Sequence, residues 1–187
     1  RSACRNRDYR AHLESPVGSE ALAGDLVVVK FYRPNRWSDA QILEEHSFAT
    51  ELMAAEIPVV GALELDGSTL HHFNGFSFSV SPSRGGRRPE LDDLDVLEWI
   101  GRFLARIHTV ASARPFVHRP ALNTATFGHA PRDALLAGGY IPLDMESRWR
   151  QAFDEAIQVA QGVFDSTRHV RQLRLHGDCH PGNILWT

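Results

Sequence analysis

The chain has 187 residues, which suits one medium domain or two small lobes. Hydrophobic residues make up 43% and charged residues 23%, so a disordered type is excluded. A net charge of −3 gives no general electrostatic reason to bind nucleic acid, and no apolar run approaches the length of a membrane span.

Asn6 to Leu13 is polar and reads as a strand or a loop. Glu14 to Asp25 carries Pro, Gly and Ser and reads as a turn. Leu26 to Tyr32 is β-branched and aromatic and predicts a strand, ended by Pro34. Ser38 followed by Gln41 is a capping-box pattern. The helix it opens is expected to reach Glu56, with Ile42, Leu43, Ala49, Leu52 and Met53 on its apolar face. Beyond Pro58 come three strand candidates, Val59 to Leu65, Thr69 to Phe73 and Phe76 to Val80; Asp66-Gly67 is a hairpin-type turn between the first two. Ser81 to Pro89 is rich in Ser, Arg, Gly and Pro and reads as a linker. Asp92 or Asp93 is expected to cap a helix to Ala111, with Leu97, Ile100, Leu104 and Ile107 at helical spacing. Ala113 to Pro131 is loop-like, and Asp144 starts a helix expected to reach Phe164. Leu173 to Trp186 reads as a short strand, a polar turn and a second short strand.

Strands before the linker and helices after it predict an α+β fold. The expected organisation is a sheet lobe with one helix over 1–80, a hinge over 81–90 and a partial helical lobe over 91–187. Such lobes leave a cleft between them, a frequent ligand site.

The polar turn carries the chemistry. Asp178 and Asn183 stand five positions apart in His176-Gly177-Asp178-Cys179-His180-Pro181-Gly182-Asn183. Kinases use that spacing for a catalytic Asp near the substrate hydroxyl and an Asn on nucleotide-bound Mg²⁺. The bland alternative is a surface turn rich in turn-forming residues. Lys30 is the only lysine among 20 basic residues and ends the strand Leu26 to Tyr32. On a strand lining the cleft, its ammonium would meet nucleotide phosphates as a point charge. It needs a carboxylate. Glu44 and Glu45 lie about 100° apart around a helix axis, so both cannot face it equally; Glu45 is preferred, Glu44 second, and solvated helix charges are the bland reading of both and of Glu51. His176 is expected to pack the loop, His180 either to touch substrate or phosphate or to be structural, and Cys179 to be a packed, inert thiol. Gly177 stands where the His-Arg-Asp motif of protein kinases has its arginine, which argues against regulation by activation-loop phosphorylation through this position. Cys4 and Cys179 form neither a disulfide framework nor a metal spacing, which suits a reducing cytoplasm.

These residues resemble the aminoglycoside phosphotransferase/choline kinase-like family, whose loop reads His-Gly-Asp-x-His-x-x-Asn. Val28 to Pro34 with Arg36-Trp37, then Gln41 to His46, Phe116 to Pro120 and Leu173 to Trp186, are similar to a bacterial stress-response kinase branch of that family. The resemblance implies a protein-kinase-like fold, ATP and Mg²⁺, and transfer to Ser/Thr of proteins. It implies Lys30 as phosphate anchor, Glu45 as its partner, Asp178 as catalytic base and Asn183 as metal ligand. Ser79 to Arg84, with Ser79, Val80 and Ser81 foremost, would be the hinge at the adenine. Asn6-Arg7-Asp8-Tyr9 looks like a degenerate phosphate loop. It also implies a second Mg²⁺ carboxylate beyond Thr187; with Arg1 at the start, both ends are expected to be truncated and the piece to have little activity alone. The rivals are a small-molecule kinase acting on an aminoglycoside-, choline- or homoserine-like hydroxyl, and a non-catalytic nucleotide-binding pseudokinase. No nucleic-acid or membrane partner is expected, and the cytoplasm is the expected compartment.

Overall fold

The computed structural model describes residues 7–12, 26–167 and 170–187. The turn expected over 14–25 lies outside these residues. The chain divides into two compact units, one of 1–118 with 173–187 and one of 119–172.

The first unit is built on a four-stranded antiparallel sheet in the order β1-β2-β4-β3. The strands are β1 (Arg7–His12), β2 (Leu26–Phe31), β3 (His71–Phe73) and β4 (Phe76–Pro82). The valine run makes β2 a central strand, paired with β1 on one side and β4 on the other. β3 and β4 are joined by Asn74-Gly75, whose φ values of 48° and 78° suit a two-residue hairpin turn with both residues left-handed. Asp66-Gly67 makes a similar turn, closed by paired bonds between Leu65 and Ser68 of 2.8 and 3.0 Å. The strand expected over Val59 to Leu65 is absent. That segment follows Pro58, folds back on itself at Leu65, and reaches the sheet through the Leu63 N–H, which donates to the Val80 carbonyl at 2.7 Å. Of the degenerate phosphate-loop candidates, Asn6 lies outside the described residues, and Arg7, Asp8 and Tyr9 are strand residues of β1.

Helix α1 (Asp39–Ala54) opens with the expected capping box: the Gln41 N–H donates to Ser38 Oγ, and the Ser38 N–H to the Gln41 side chain. Its inner face differs from expectation. Ile42, His46, Phe48 and Leu52 are buried, while Leu43 and Met53 are 43% and 41% exposed. Leu43 lies one 100° step from Ile42, so the two cannot share one packing direction. Met53 instead lays its thioether against Gly61, where a Cβ would meet it at 2.6 Å.

Helix α2 (Leu94–Ala111) is capped by Asp93, whose carboxylate accepts from the N–H groups of Asp95 and Val96. Its buried positions are Val96, Ile107 and Ala111. Phe48 and Leu52 of α1 meet Ile107 and Ala111 of α2 in one apolar cluster with Ile57, and Val59, Val110, Phe116 and Leu173 pack around it. Ile42 meets Tyr32 and Leu70 in a second cluster on the sheet side, with Trp37 against it. Thus α1 lies between sheet and α2. Each of the buried Ile, Leu and Phe side chains in these clusters contributes about 1.5–3 kcal/mol.

The second unit holds α3 (Ala130–Ala137) and α4 (Leu143–Ser166), preceded by a π-helical turn over Ala125–His129. The loop expected over 113–131 is therefore helical at its end. Pro131 sits in the first turn of α3, where a missing N–H costs nothing, so it opens a helix rather than marking a loop. Asn123 supports the turn by accepting from the Thr126 N–H at 2.9 Å. Arg132 and Asp154 pair between the two helices, and Ile157 is buried against Gly128. No helix among the described residues is long and apolar enough to cross a membrane.

The strand–turn–strand expected over 173–186 is a loop with a 3₁₀ turn at Pro181–Asn183. Its flanks find backbone partners only briefly: the Arg174 N–H reaches the Ala111 carbonyl at 3.5 Å, and Trp186 forms a two-bond bridge with Arg87. Neither contact is long enough to make a ladder. The bridge ties the end of the loop to the 81–90 segment. Gly86 (φ 152°) allows this approach; a Cβ there would meet the Leu185 Cβ at 3.0 Å.

Candidate active site

Lys30 sits near the end of β2, in register with Asp8 of β1 and Ser79 of β4. Helix α1 brings Glu45 Oε1 to 3.8 Å from Lys30 Nζ. Glu44, one step around the helix, turns elsewhere: its carboxylate accepts from the backbone N–H groups of Val117 and His118 at 2.5 and 2.9 Å. The geometry thus separates the two glutamates as the 100° argument requires, with Glu45 on the lysine. Both members of the Lys30–Glu45 pair remain about a third solvent-accessible, so the pair adds at most about 1 kcal/mol to stability. Its geometry places a carboxylate beside the ammonium.

A buried polar chain underlies the pair. Tyr32 OH lies 2.9 Å from His46 Nε2 and 3.1 Å from Ser79 Oγ, and His46 Nδ1 lies 2.9 Å from Thr69 Oγ1. Burial pushes the His46 pKa below its usual value, so the imidazole is held neutral. Lys30 Nζ stands 5.1 Å above the Tyr32 ring. Ser79 and Val80, expected at an adenine hinge, have side chains only 2% and 4% exposed. Ser79 is committed to Tyr32, and Ser81 is half-buried further along β4.

The loop is organised by its own backbone. Gly177 has φ +77°, which favours glycine, and this lets the chain reverse before Asp178. Asn183 Nδ2 donates to the Asp178 carbonyl at 2.8 Å and to Asp178 Oδ2 at 3.1 Å. His180 Nδ1 accepts from the Gly182 N–H at 3.0 Å. In neutral His180 the proton therefore sits on Nε2, which faces Asp178 Oδ1 at 3.8 Å. A Cβ at Gly182 would lie 2.7 Å from the His180 ring, so this arrangement needs glycine there too. The Asp178 carboxylate is thereby flanked by two groups while its side chain stays 76% exposed.

Two expectations for the loop are corrected. His176 is exposed rather than packed, and serves the loop by accepting from the Asp178 N–H at 3.3 Å. Cys179 is an exposed free thiol, not a packed one, because the tight turn around it leaves no apolar wall to cover it.

With its Nδ2 turned to Asp178, Asn183 keeps Oδ1 as an acceptor. Beside the Asp178 carboxylate it makes a pair of hard oxygen donors, the kind Mg²⁺ takes together with waters and nucleotide phosphates. Among the described residues no group of three or more His, Cys, Asp or Glu side chains stands ready for a metal.

One constellation was missed in the sequence. Arg174, 2% exposed, forms a two-pronged pair with Glu51 of α1, at 3.1 and 2.7 Å. Its guanidinium stacks 4.2 Å from the Phe48 ring centroid and donates to the Val110 carbonyl. Arg114 pairs with Glu51 as well. The hydrogen bond from Arg174, helped by Arg114, holds the Glu51 carboxyl down at about 2. The available signal was an arginine between two leucines in Leu173-Arg174-Leu175, since a charge within an apolar run needs a buried partner.

An antiparallel sheet with a lysine–glutamate pair between its second strand and first helix, together with a His-Gly-Asp-x-His-x-x-Asn loop, defines a kinase-like phosphotransferase architecture. A family model described as the phosphotransferase enzyme family matches residues 17–187, and the chain belongs to that family. It is 43% identical over 163 residues to stress response kinase A of Escherichia coli (strain K12), covering 85% of this chain and 48% of that protein. It is 42% identical over 159 residues to the serine/threonine protein kinase RdoA of Salmonella typhimurium, again covering 85% of this chain and 48% of the relative. The chain spans about half the length of the curated relatives it matches. The solved structure of an amicoumacin kinase in complex with AMP-PNP, Ca²⁺ and Ami is 18% identical in sequence, with a TM-score of 0.71 over 97% of this chain and 53% of that one. That likeness shows the kinase-like fold.

Proposed function

We propose that the protein to which this chain belongs transfers the γ-phosphoryl group of ATP to a hydroxyl, foremost the side chain of a protein serine or threonine. The observation that carries this reading is the fixed Asp178–Asn183 loop in a fold that also places Glu45 on Lys30. In this reading Lys30 holds the nucleotide phosphates and Glu45 aims it. Asp178 accepts the proton of the attacking hydroxyl as its oxygen bonds to phosphorus and the bond to the ADP oxygen breaks. Asn183, through Oδ1, would help hold Mg²⁺, whose chemistry is to neutralise charge on the phosphates. The polar donor on Asp178 from Asn183 keeps the carboxylate oriented, and His180 supports its other oxygen. The transition state is loose, so positioning and charge stabilisation supply most of the rate.

In the same reading, 1–80 is the sheet lobe, 81–90 the hinge and 91–187 part of a helical lobe. Ser79, Val80 and Ser81 form the wall beside the adenine. The exposed, free Cys179 suits a reducing cytoplasm. The name of the similar serine/threonine protein kinase from S. typhimurium favours a protein acceptor. A second reading, a small-molecule hydroxyl, is favoured by the amicoumacin kinase whose fold the chain shares.

The test is γ-phosphoryl transfer from labelled ATP-Mg²⁺ by the full-length protein, offered a Ser/Thr protein acceptor and, separately, small amino alcohols. Label on protein Ser/Thr that falls by about 10²–10⁴-fold in Asp178→Asn is the expected result. Label confined to the small acceptors would favour the second reading, and no transfer at all would favour a nucleotide-binding pseudokinase.

A further inference from the structure

Arg174 stands four residues before Asp178, at the point where the loop leaves the packed part of the first unit. Leu173 beside it is packed against the cluster of Phe48, Leu52 and Ile107. The Arg174 side chain then crosses to α1 and grips Glu51 with both prongs, while also donating to the last turn of α2 at the Val110 carbonyl. Glu51 lies on the helix that carries Glu45, about a turn and a half further along. One guanidinium therefore joins three things: the stem of the Asp178 loop, the helix that aims Lys30, and the end of α2.

The physical character of the contact suits a strut. A planar guanidinium bidentate on a carboxylate fixes direction as well as distance, which a lysine cannot do. Arg174 is 2% exposed and sandwiched toward Phe48 and Phe116, with centroids at 4.2 and 5.8 Å. A buried pair of this kind contributes little net stability over an apolar replacement, but it is costly to leave half-broken. A strut with those properties holds one geometry rather than adding cohesion. The four Cα–Cα steps from Arg174 to Asp178 span at most about 14 Å when extended, so the anchorage limits where Asp178 can go.

We propose that Arg174 is a positioning residue: through Glu51 it holds helix α1, and with it Glu45 opposite Lys30, in fixed relation to the Asp178 loop. This rests on the phosphoryl-transfer reading above. It adds a device to that reading, a buried arginine that keeps α1 in its active placement without any modification.

The experiment uses the full-length protein and compares wild type, Arg174→Met, Arg174→Lys, Glu45→Gln and the Arg174→Met/Glu45→Gln pair. Methionine keeps a stem to lie on Phe48 but removes the fork. The expected result is a drop of about tenfold or more in kcat/KM for ATP in Arg174→Met, with an intermediate value for Arg174→Lys. In the Glu45→Gln background the same Arg174→Met change is expected to cost less than about twofold, because the residue acts through that glutamate. Equal losses in both backgrounds, or an unchanged kcat/KM in folded Arg174→Met, would overturn the proposal. If Arg174→Met does not fold, Glu51→Gln replaces it, and the same non-additivity with Glu45→Gln decides. An inactive wild type is a different result: it removes the phosphoryl-transfer reading and this proposal together, whereas an active wild type that ignores Arg174 removes the proposal alone.

Discussion

Gly177 shows how the site depends on single backbone choices. Its φ of +77° is a conformation that costs a residue with a Cβ about 1–2 kcal/mol. No neighbouring atom would touch a Cβ there, so the cost of replacing it is conformational rather than steric. Gly177→Ala is accordingly expected to displace Asp178 and lower phosphoryl transfer at least about tenfold, while urea unfolding shifts by no more than about 2 kcal/mol. An unchanged rate would mean that the turn does not set the Asp178 position. This part of the site was legible in the sequence because it is local: His-Gly-Asp and the Asn five residues on are held by bonds within one turn. The Arg174–Glu51 pair was not legible, because its partners are 123 residues apart and no local pattern marks which glutamate a buried arginine will find. Glu44 illustrates the same limit. Its helical phase ruled out sharing Lys30 with Glu45, but nothing nearby announced the Val117 and His118 amides it accepts.

At the scale of elements, α1 was readable from its ends and less so from its middle. The Ser38/Gln41 box is a local hydrogen-bond exchange, and the structure forms it as the spacing requires. The inner face was blurred because His46 is buried there, held by Tyr32 and Thr69, while two apolar residues are left at the surface. Ser38→Ala should cost about 1 kcal/mol of stability, measured as a lower urea midpoint at unchanged slope; no shift would show that the cap is redundant with the packing of Ile42. Two of the misread elements, 59–65 and 113–131, share a cause with the loop found over 173–186. Apolar alternation in the first had no neighbouring strand to pair with over its length, and Pro131 in the second opens a helix in a stretch that otherwise reads as loop. Pairing partners and helix phase are settled by tertiary packing, which a local pattern does not contain.

For the whole molecule, His46 and Glu51, both shifted downward, predict a two-step loss of stability in acid. His46 has its pKa below the ordinary 6.5 because burial penalises the charged ring. The unfolded chain then binds the proton more readily, so stability is full above about 6.5 and falls as the pH drops below it. Glu51 has its carboxyl at about 2 instead of 4.5, chiefly through Arg174. Its contribution is full above about 4.5 and is lost as the pH falls toward 2. Denaturation midpoints taken from pH 8 to pH 3 should decline in both windows, and Glu51→Gln should flatten the lower one while leaving the upper in place. A Glu51→Gln profile parallel to wild type below pH 4.5 would show that Arg174 does not hold the carboxylate.

The proposed role of Lys30, aimed by Glu45, and of Asp178, held by Asn183, is phosphoryl transfer. It is tested most directly by following labelled γ-phosphate from ATP-Mg²⁺ to acceptor with the full-length wild type, Lys30→Ala and Asp178→Asn under one set of conditions. Transfer by the wild type is expected, with its loss, by at least about 10²-fold, in each variant while both remain folded. Transfer that survives either substitution would contradict it.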